Sequence, residues 1–351
     1  MVDPAGHGSL NQEYWAQHVR TGVFMARRYF RNILVGIETP SERRQFALGR
    51  AAQMARQSGA RLILFHCAFS PYAAGRNSYR LTVERGIKRT IAERRAALEK
   101  LAAPLRRKGL KVTTRAVWDY PAFEAIVREV LRAKPDLVVA ESRRRAFGVR
   151  LFLTNTDWQL IRLCPVPLLF VKQSRAWGKA RILAAVDPMH ANAKPARLDQ
   201  RILEVAQAVA TCHSGRLDVV HAYLPLSSFA PWDYGDAIPI PVEPEVERKH
   251  ARFAKHALER SVAALDLPHG QLHVETGAAH QVLPDLARRL HADVLVMGAV
   301  SRRGIDRLII GSTAERTIDR AHCDVLVVKP RRFRTTVPRR SSPPQLLLPP
   351  I

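Results

Sequence analysis

Short apolar runs alternate with longer amphipathic stretches along most of this chain. Runs with the length of a buried strand occupy residues 33–37, 62–67, 112–117, 137–140 and 166–171. Between them, apolar residues recur at helical spacing in residues 41–57, 81–108, 121–133 and 156–163. A Ser58-Gly59 pair follows the first of these stretches, and glycine is a common residue just beyond a helix. The first half of the chain therefore predicts alternating strands and helices.

The second half repeats this order of elements. Strand-like runs recur in residues 182–187, 217–222, 272–275, 294–297 and 325–328. A second Ser-Gly pair, Ser214-Gly215, stands at the matching place, and His221 falls in register with His66. An internal repeat of about half the chain indicates two similar units. Because the strands alternate with helices and read as continuous apolar runs, we predict an α/β fold. It would contain two tandem doubly wound domains, each with a five-stranded parallel sheet.

The repeat sets the expected domain boundaries. We predict an N-terminal extension over residues 1–30, a first repeat over 31–174 and a second repeat over 175–330. Residues 331–351 are rich in proline and arginine and have no usable period, which predicts a disordered basic tail.

Composition narrows the class of protein. Hydrophobic residues make up 47% of the 351 residues, enough for two globular cores. Four scattered cysteines, with neither a C-x-x-C nor a Cys/His metal spacing, favour a reduced cytoplasmic setting. We expect neither a transmembrane span nor an export signal, because no uncharged apolar run approaches the ~18 residues needed to cross a bilayer.

The formal net charge of +25 adds one further class. Lysine and arginine neutralise phosphates without regard to sequence, so RNA, DNA or an anionic surface is an alternative partner. The basic residues are spread over every segment, however, and no aromatic–basic interleaving or recognition helix stands out. Binding to nucleic acid or an anionic surface therefore remains a secondary interpretation.

One stretch of the second repeat combines a strand end, a loop with small residues and a helix start. The run 294–297 ends at Gly298, and the loop extends to Gly311. Ser312 and Glu315 form an S-x-x-E pattern, which predicts a capping box at the start of a helix. Unpaired N–H groups and the dipole at a helix start favour the binding of an anion. The alternative is a purely structural role, in which Gly298 and Gly311 serve turns and Ser312 caps its own helix. The chain has neither a Walker G-x-x-x-x-G-K-[ST] sequence nor a dinucleotide-binding G-x-G-x-x-G.

The spacing of this loop resembles that of the universal stress proteins. Their loop reads G-x2-G-x9-G-[ST], and this chain has Gly298-x2-Ser301-x9-Gly311-Ser312, which matches at three of four positions. The flanking words VLVMG and GSTAERTIDRAHCDVLVVKP are similar to that family too, and most similar to its double-length, UspE-type members. The resemblance extends over nearly all of residues 31–330. It implies a cytoplasmic stress-response protein that binds and regulates rather than catalyses, with ATP as the ligand of the second repeat.

The resemblance also implies a set of nucleotide-binding residues in the second repeat. Asp187 would contact the adenine or ribose, residues 311–313 would hold the phosphates, and Gly298 would let the backbone approach them. The candidate residues are Asp187, Ala222, Met297, Gly298, Ser301, Gly311, Ser312 and Thr313. A turn residue before Pro188 is an equally good interpretation of Asp187. The Cβ of Ser301, where the family has glycine, would narrow the space through which a phosphate reaches the loop. Whether Mg²⁺ accompanies ATP is left open.

The first repeat departs from that pattern. Glu141 stands in place of the first loop glycine, Thr154 in place of the third, and Glu38 in place of Asp187. A carboxylate at the mouth of the crevice disfavours phosphate, so we predict that this repeat does not hold ATP in the family's manner. The three arginines at residues 143–145 are interpreted as a solvated basic loop, with an anion grip as the alternative.

No catalytic arrangement is evident from residue spacing. A nucleotide hydrolase on the same fold is the alternative, and it would have to use Asp187, His190 or Asp306. His66 and His221 lie inside apolar strands, so we predict hydrogen-bonded core histidines. We assign no catalytic and no metal-ligating residue.

The resemblance implies a contact between the two repeats. In universal stress protein dimers the fifth strands meet, and residues 166–171 and 325–328 are the matching segments here. We therefore expect the repeats to pack on each other about a pseudo-twofold axis. Association of two whole chains into a homodimer is left open.

Overall fold

The computed structural model describes residues 29–42, 44–69, 80–142, 155–189, 197–229, 242–265, 267–298 and 311–341. Within these ranges, ten strands join into one sheet. In chain order the strands are β1 (Asn32–Gly36), β2 (Arg61–Ala68), β3 (Val112–Trp118), β4 (Leu137–Glu141), β5 (Leu168–Val171), β6 (Arg181–Ala185), β7 (Arg216–Tyr223), β8 (Leu272–Thr276), β9 (Val294–Gly298) and β10 (Asp324–Val328).

Eight α-helices cover this sheet in the described part of the chain. They are α1 (Phe46–Ser58), α2 (Arg80–Arg107), α3 (Ala122–Ala133), α4 (Asn155–Leu163), α5 (Leu198–Cys212), α6 (Pro244–Val262), α7 (Ala279–Arg289) and α8 (Ser312–Arg320). Helix α1 begins five residues later than the predicted residue 41 and ends, as predicted, at Gly59, which takes the left-handed conformation with φ of 75°.

The strand order is β3-β2-β1-β4-β5-β10-β9-β6-β7-β8. Neighbouring strands are parallel within the first repeat and within the second. At the centre, β5 and β10 run antiparallel. The predicted α/β class and the five parallel strands of each repeat are therefore confirmed. This central pair joins the two five-stranded sheets into one.

Strands β5 and β10 form the contact that joins them. Leu169 lies opposite Leu326 at the middle of three antiparallel residue pairs. Every residue of both strands is buried. Either strand alone would be the edge of its own sheet, with a row of unpaired backbone N–H and C=O groups. The pairing of β5 with β10 satisfies these groups at both edges, and the predicted meeting of the fifth strands is confirmed.

Two hydrophobic clusters fill the two faces of the sheet. Helices α1, α2, α5 and α6 pack on one face, and α3, α4, α7 and α8 pack on the other. Successive strand residues point to opposite clusters: Leu34 joins the second cluster and Val35 joins the first. Burial on both sides explains why the strands read as continuous apolar runs.

The tail differs from the prediction in its first part. Val337 is 7% exposed and belongs to the core on the α3 side of the sheet. Arg331 Nη2 lies 2.6 Å from Glu204 Oε2, and Ser341 Oγ donates to Asp119 Oδ1 at 2.6 Å. An apolar side chain and two polar anchors thus hold residues 331–341 against the folded repeats. Residues 342–351, like residues 1–28, lie outside the described part of the chain.

Among the helices of the described ranges, none combines the length and the hydropathy that crossing a bilayer requires.

Candidate functional site

The crevice of the second repeat lies where the strand order reverses. Strand β6 pairs with β7 on one side and with β9 on the other, with Ala184 opposite Val296. Helix α5 lies on one face of the sheet here, and α8 lies on the other. The carboxyl ends of β6 and β9 therefore bring Asp187 and Gly298 to the same edge. This is the place where open α/β sheets bind ligands.

Asp187 is held at the mouth of this crevice with its side chain 40% exposed. Its backbone N–H faces the Asp199 carboxylate of α5 at 3.3 Å from each oxygen. Its Oδ1 lies 3.9 Å from His221 Nδ1. The carboxylate is thus positioned by neighbours and open to solvent, as an acceptor for an amino or hydroxyl group would need to be.

The two histidines in register occupy matching buried positions. His66 Nδ1 lies 2.8 Å from the carbonyl oxygen of Ile37, and His221 Nδ1 lies 3.3 Å from that of Val186. Both side chains are buried, and burial lowers the pKa of His66 despite its hydrogen bond. The predicted role of hydrogen-bonded core histidines is confirmed. Sequence alone did not indicate that His221 also approaches the Asp187 carboxylate.

Gly298 is packed against the helix that follows β6. A Cβ at this position would lie 2.9 Å from Leu198 Cδ2 and 3.3 Å from Ile202 Cδ1. The absence of a Cβ at Gly298 thus leaves room for Leu198 and Ile202 of α5 on one face of the sheet. A ligand would therefore have to approach the Gly298 backbone from the other face of the sheet, where α8 lies, and this approach stays a prediction.

Helix α8 presents its first turn at this edge. Gly311 precedes the helix in an extended conformation, and Ser312 and Thr313 are exposed. Among the described residues no side chain caps this N-terminus. The predicted capping box is wrong, because Glu315 accepts a hydrogen bond from Arg162 of α4 at 3.1 Å instead of reaching back to the helix start. The outward N–H groups keep the capacity for an anion.

The remaining candidate residues differ in their exposure at the crevice. Ala222 is half-buried at the end of β7, whereas Met297 is 5% exposed and belongs to the core. Tyr223, which follows Ala222 and is not among the candidate residues, stacks on His221 with ring centroids 6.3 Å apart. Ser301 lies outside the described residues, as do His190 and Asp306.

Leu198 and Asp199 were also missed by sequence reasoning. An acidic residue in the first turn of a helix is a usual signal of its N-terminus, and this one could have marked the start of α5. Nothing in the residue pattern indicates that Leu198 would lie over Gly298.

The first repeat fills the matching place with a carboxylate. Glu141 ends β4 as Gly298 ends β9. Its Oε2 accepts hydrogen bonds from the backbone N–H groups of Phe46 at 3.0 Å and Ala47 at 3.3 Å. Glu141 therefore caps α1 and places a negative charge at the crevice, where a phosphate would be repelled. Thr154 and residues 143–145 lie outside the described part of the chain.

No metal site is assembled by the residues that the structure describes. Their His, Cys, Asp and Glu side chains form no group of three or more that could hold an ion. The four cysteines are free thiols, three of them buried.

Comparison with known proteins gives a consistent result. The model of the universal stress protein family matches residues 29–172 and again residues 180–329. Universal stress protein E of Escherichia coli K12 is 32% identical over 326 residues, covering 88% of this chain and 96% of the relative. A homolog of that protein in Haemophilus influenzae is 26% identical over 316 residues, covering 86% and 98%.

Two solved structures show the same fold. A functionally unknown protein from Pseudomonas aeruginosa PAO1 superimposes with a TM-score of 0.66 at 29% identity, covering 87% of this chain and 95% of that one. A universal stress protein from Archaeoglobus fulgidus shares the fold with a TM-score of 0.57 at 17% identity, covering 85% and 98%. With two family domains in succession and the folded crevices described above, this chain belongs to the universal stress protein family, as a tandem member of the universal stress protein E type.

Proposed function

We propose that this chain is a cytoplasmic stress-response binding protein that takes up ATP in its second repeat. The repeats divide near residue 174, and only the second forms a nucleotide site. Binding stabilises one arrangement of the protein and alters its contacts with partners, without catalysis of a reaction. The adenine or ribose lies at Asp187, and the phosphates lie at residues 311–313.

One difference between the repeats carries this proposal. At the end of β4 the Glu141 carboxylate occupies the N-terminus of α1 and supplies the negative charge there. At the matching end of β9 stands Gly298, which adds no charge. The exposed first turn of α8 faces the same crevice with donors for an anion. The second repeat therefore suits phosphate, and the first does not.

The packing offers a route by which binding would reach the first repeat. Helix α5 begins at Leu198, above Gly298, and ends at Cys212. Cys212 Sγ lies 3.8 Å from the carbonyl oxygen of Met54 in α1. A displacement of α5 by nucleotide would thus press on the helix that Glu141 caps.

Calorimetric titration of ATP with Mg²⁺ tests the proposal. The parent should bind, Gly311→Glu should lose binding because its carboxylate meets the phosphates, and Gly86→Glu should bind like the parent. Gly86 is an exposed residue of α2 with open space around it, so it controls for the same substitution elsewhere. Absence of binding in the parent, or equal loss in both variants, would contradict the proposal.

The same protein distinguishes binding from hydrolysis. With the non-catalytic role, release of phosphate from ATP stays at the rate without protein, in the parent and in Asp187→Ala alike. Magnesium-dependent turnover that disappears in Asp187→Ala would instead establish a hydrolase that depends on Asp187.

A further inference from the structure

A cavity lies at the opposite end of the same strands. It has a volume of about 590 Å³ and sits at the amino ends of β6, β9 and β10, away from the crevice. Residues 173–181, the linker that leads from β5 to β6, form one wall. The carboxyl-terminal half of α7 and residues 322–323 form the others. Cavities of this size typically hold small molecules.

The charge of the lining is strongly one-sided. Arg175, Lys179, Arg181 and Arg288 line the cavity, and among the described lining residues Asp293 is the single carboxylate. Asp293 is 7% exposed and already bound, since it accepts from Arg175 Nη2 at 2.8 Å and from the backbone N–H of Arg181 at 2.9 Å. One cation is thereby neutralised, and the lining keeps a positive excess.

Part of this excess has partners nearby. Arg288 Nη1 contacts Asp285 at 3.1 Å, with both side chains more than half exposed, and Arg181 Nη1 contacts the carbonyl oxygen of Leu290 at 3.2 Å. An exposed pair contributes little and exchanges readily with a better acceptor. Burial lowers the pKa of the lining residue His322, and the positive charges of Arg288 and Lys172 lower it further. The excess of arginine and lysine over carboxylate in the lining favours a negatively charged ligand.

Part of the lining is apolar. Pro284, Ala287 and Ala292 form a small apolar wall beside the charged groups. Arginine presents donors in a planar fork that fits the oxygens of phosphate, and three of the four cations here are arginines. Cationic heads around a small apolar wall suit a compact phosphorylated molecule with a carbon skeleton.

We propose that this cavity binds a small phosphorylated metabolite at the junction of the linker and the second repeat, independently of the nucleotide crevice. The ligand bridges Lys179 of the linker and Arg288 of α7. It thus joins the segment between the repeats to the body of the second one.

Titration with inorganic pyrophosphate, as the probe, tests this site in the full chain. The parent should bind, and Lys179→Glu with Arg288→Glu should bind at least tenfold more weakly. Lys249→Glu with Lys255→Glu reverses two exposed cations of α6 and changes the net charge equally. This control should stay within twofold of the parent. No binding in the parent, or equal weakening in both double variants, would overturn the proposal.

Two further arms separate this cavity from the crevice. Gly311→Glu should keep its pyrophosphate binding, whatever its behaviour toward ATP, because Gly311 does not line the cavity. In the parent, pyrophosphate should shift the ring NMR signals of His291 and His322, which line the cavity, and leave those of His256 on α6 unchanged. Binding that vanishes in Gly311→Glu, or that leaves the signals of His291 and His322 unmoved, would assign the probe to the crevice and reject the cavity.

Discussion

Arg50 and Asp324 form a buried ion pair between the two repeats. Arg50 Nε donates to Asp324 Oδ2 at 3.0 Å, and the two side chains are 3% and 0% exposed. Trp177 of the linker donates from Nε1 to the same oxygen at 3.1 Å, and its ring centroid lies 4.2 Å from the Arg50 guanidinium carbon. Helix α1, the linker and the start of β10 are thus joined at one point. These contacts link the two repeats through buried side chains, in addition to the pairing of β5 with β10.

Removing the carboxylate should destabilise the fold strongly. Asp324→Ala leaves the Arg50 charge buried and takes an acceptor from the backbone N–H groups of Lys172 and Gln173, now at 2.8 and 3.0 Å. We expect the free energy of unfolding in urea to fall by about 3–5 kcal/mol. Asp285→Ala, which breaks the exposed pair with Arg288, should cost less than about 1 kcal/mol. Similar costs for the two variants would show that the buried pair does not hold the repeats together.

Stability should fall in mild acid because of His213. This side chain is 2% exposed and packs edge-on against Trp177, with ring centroids 5.0 Å apart. Burial lowers the pKa of His213 to about 4, with a further contribution from the positive charge of Arg50. Between pH ~6.5 and 4 the unfolded chain binds a proton at this residue and the folded chain does not. Protons therefore favour unfolding, and no contribution arises above pH ~6.5.

The expected loss from this residue is about 3 kcal/mol between pH 7 and pH 4. His213→Phe keeps a ring beside Trp177 and removes the titration. Urea unfolding across this pH range should therefore show a smaller decline for the variant than for the parent. Parallel curves for the two proteins would contradict the buried, neutral histidine.

The two glycines that end β1 and β9 should respond differently to alanine. A Cβ at Gly298 would lie 2.9 Å from Leu198 Cδ2, whereas a Cβ at Gly36 would meet Ile126 Cδ1 at an ordinary 3.6 Å. Gly298→Ala should lower the free energy of unfolding by about 1–3 kcal/mol through overpacking. Gly36→Ala should stay within about 0.5 kcal/mol of the parent. Thermal unfolding measures both variants, and equal costs for Gly298→Ala and Gly36→Ala would contradict the tighter packing at Gly298.

Glu141 should act as a helix cap rather than as part of a site. Glu141→Ala removes the acceptor of the Phe46 and Ala47 N–H groups and should cost about 1 kcal/mol in stability. Glu93→Ala, from an exposed pair with Arg89, serves as the matched control and should cost no more than about 0.5 kcal/mol. Chemical denaturation measures both. Equal small effects would mean that the cap does not stabilise α1.

The strands and their pairing were largely predictable from the sequence. Runs such as Ile33–Gly36 and Val325–Val328 are apolar at every position except the glycine, which only a strand covered on both faces tolerates. The internal repeat then showed which strands and helices of the second half correspond to those of the first half. The meeting of the fifth strands was implied by the family resemblance rather than by the residues, and the register that places Leu169 opposite Leu326 was not predicted.

Contacts distant in the sequence were not predictable in the same way. Arg50 and Asp324 are 274 positions apart, and neither occurs in a pattern that indicates its partner. Glu141 was recognised as unfavourable for phosphate, but the distance to the Phe46 N–H is a property of the folded α1. The S-x-x-E pattern misled because Arg162, on another helix, offers Glu315 a charged partner in place of a local cap.

Titration of ATP with Mg²⁺ into a matched pair of variants tests the asymmetry of the repeats most directly. Thr313 and Thr156 are each the second residue of the last helix of their repeat, in α8 and α4. With a nucleotide site in the second repeat alone, we expect one ATP per chain in the parent, at least tenfold weaker binding in Thr313→Glu, and unchanged binding in Thr156→Glu. Two equivalent sites in the parent, or binding that is lost in Thr156→Glu and kept in Thr313→Glu, would contradict it.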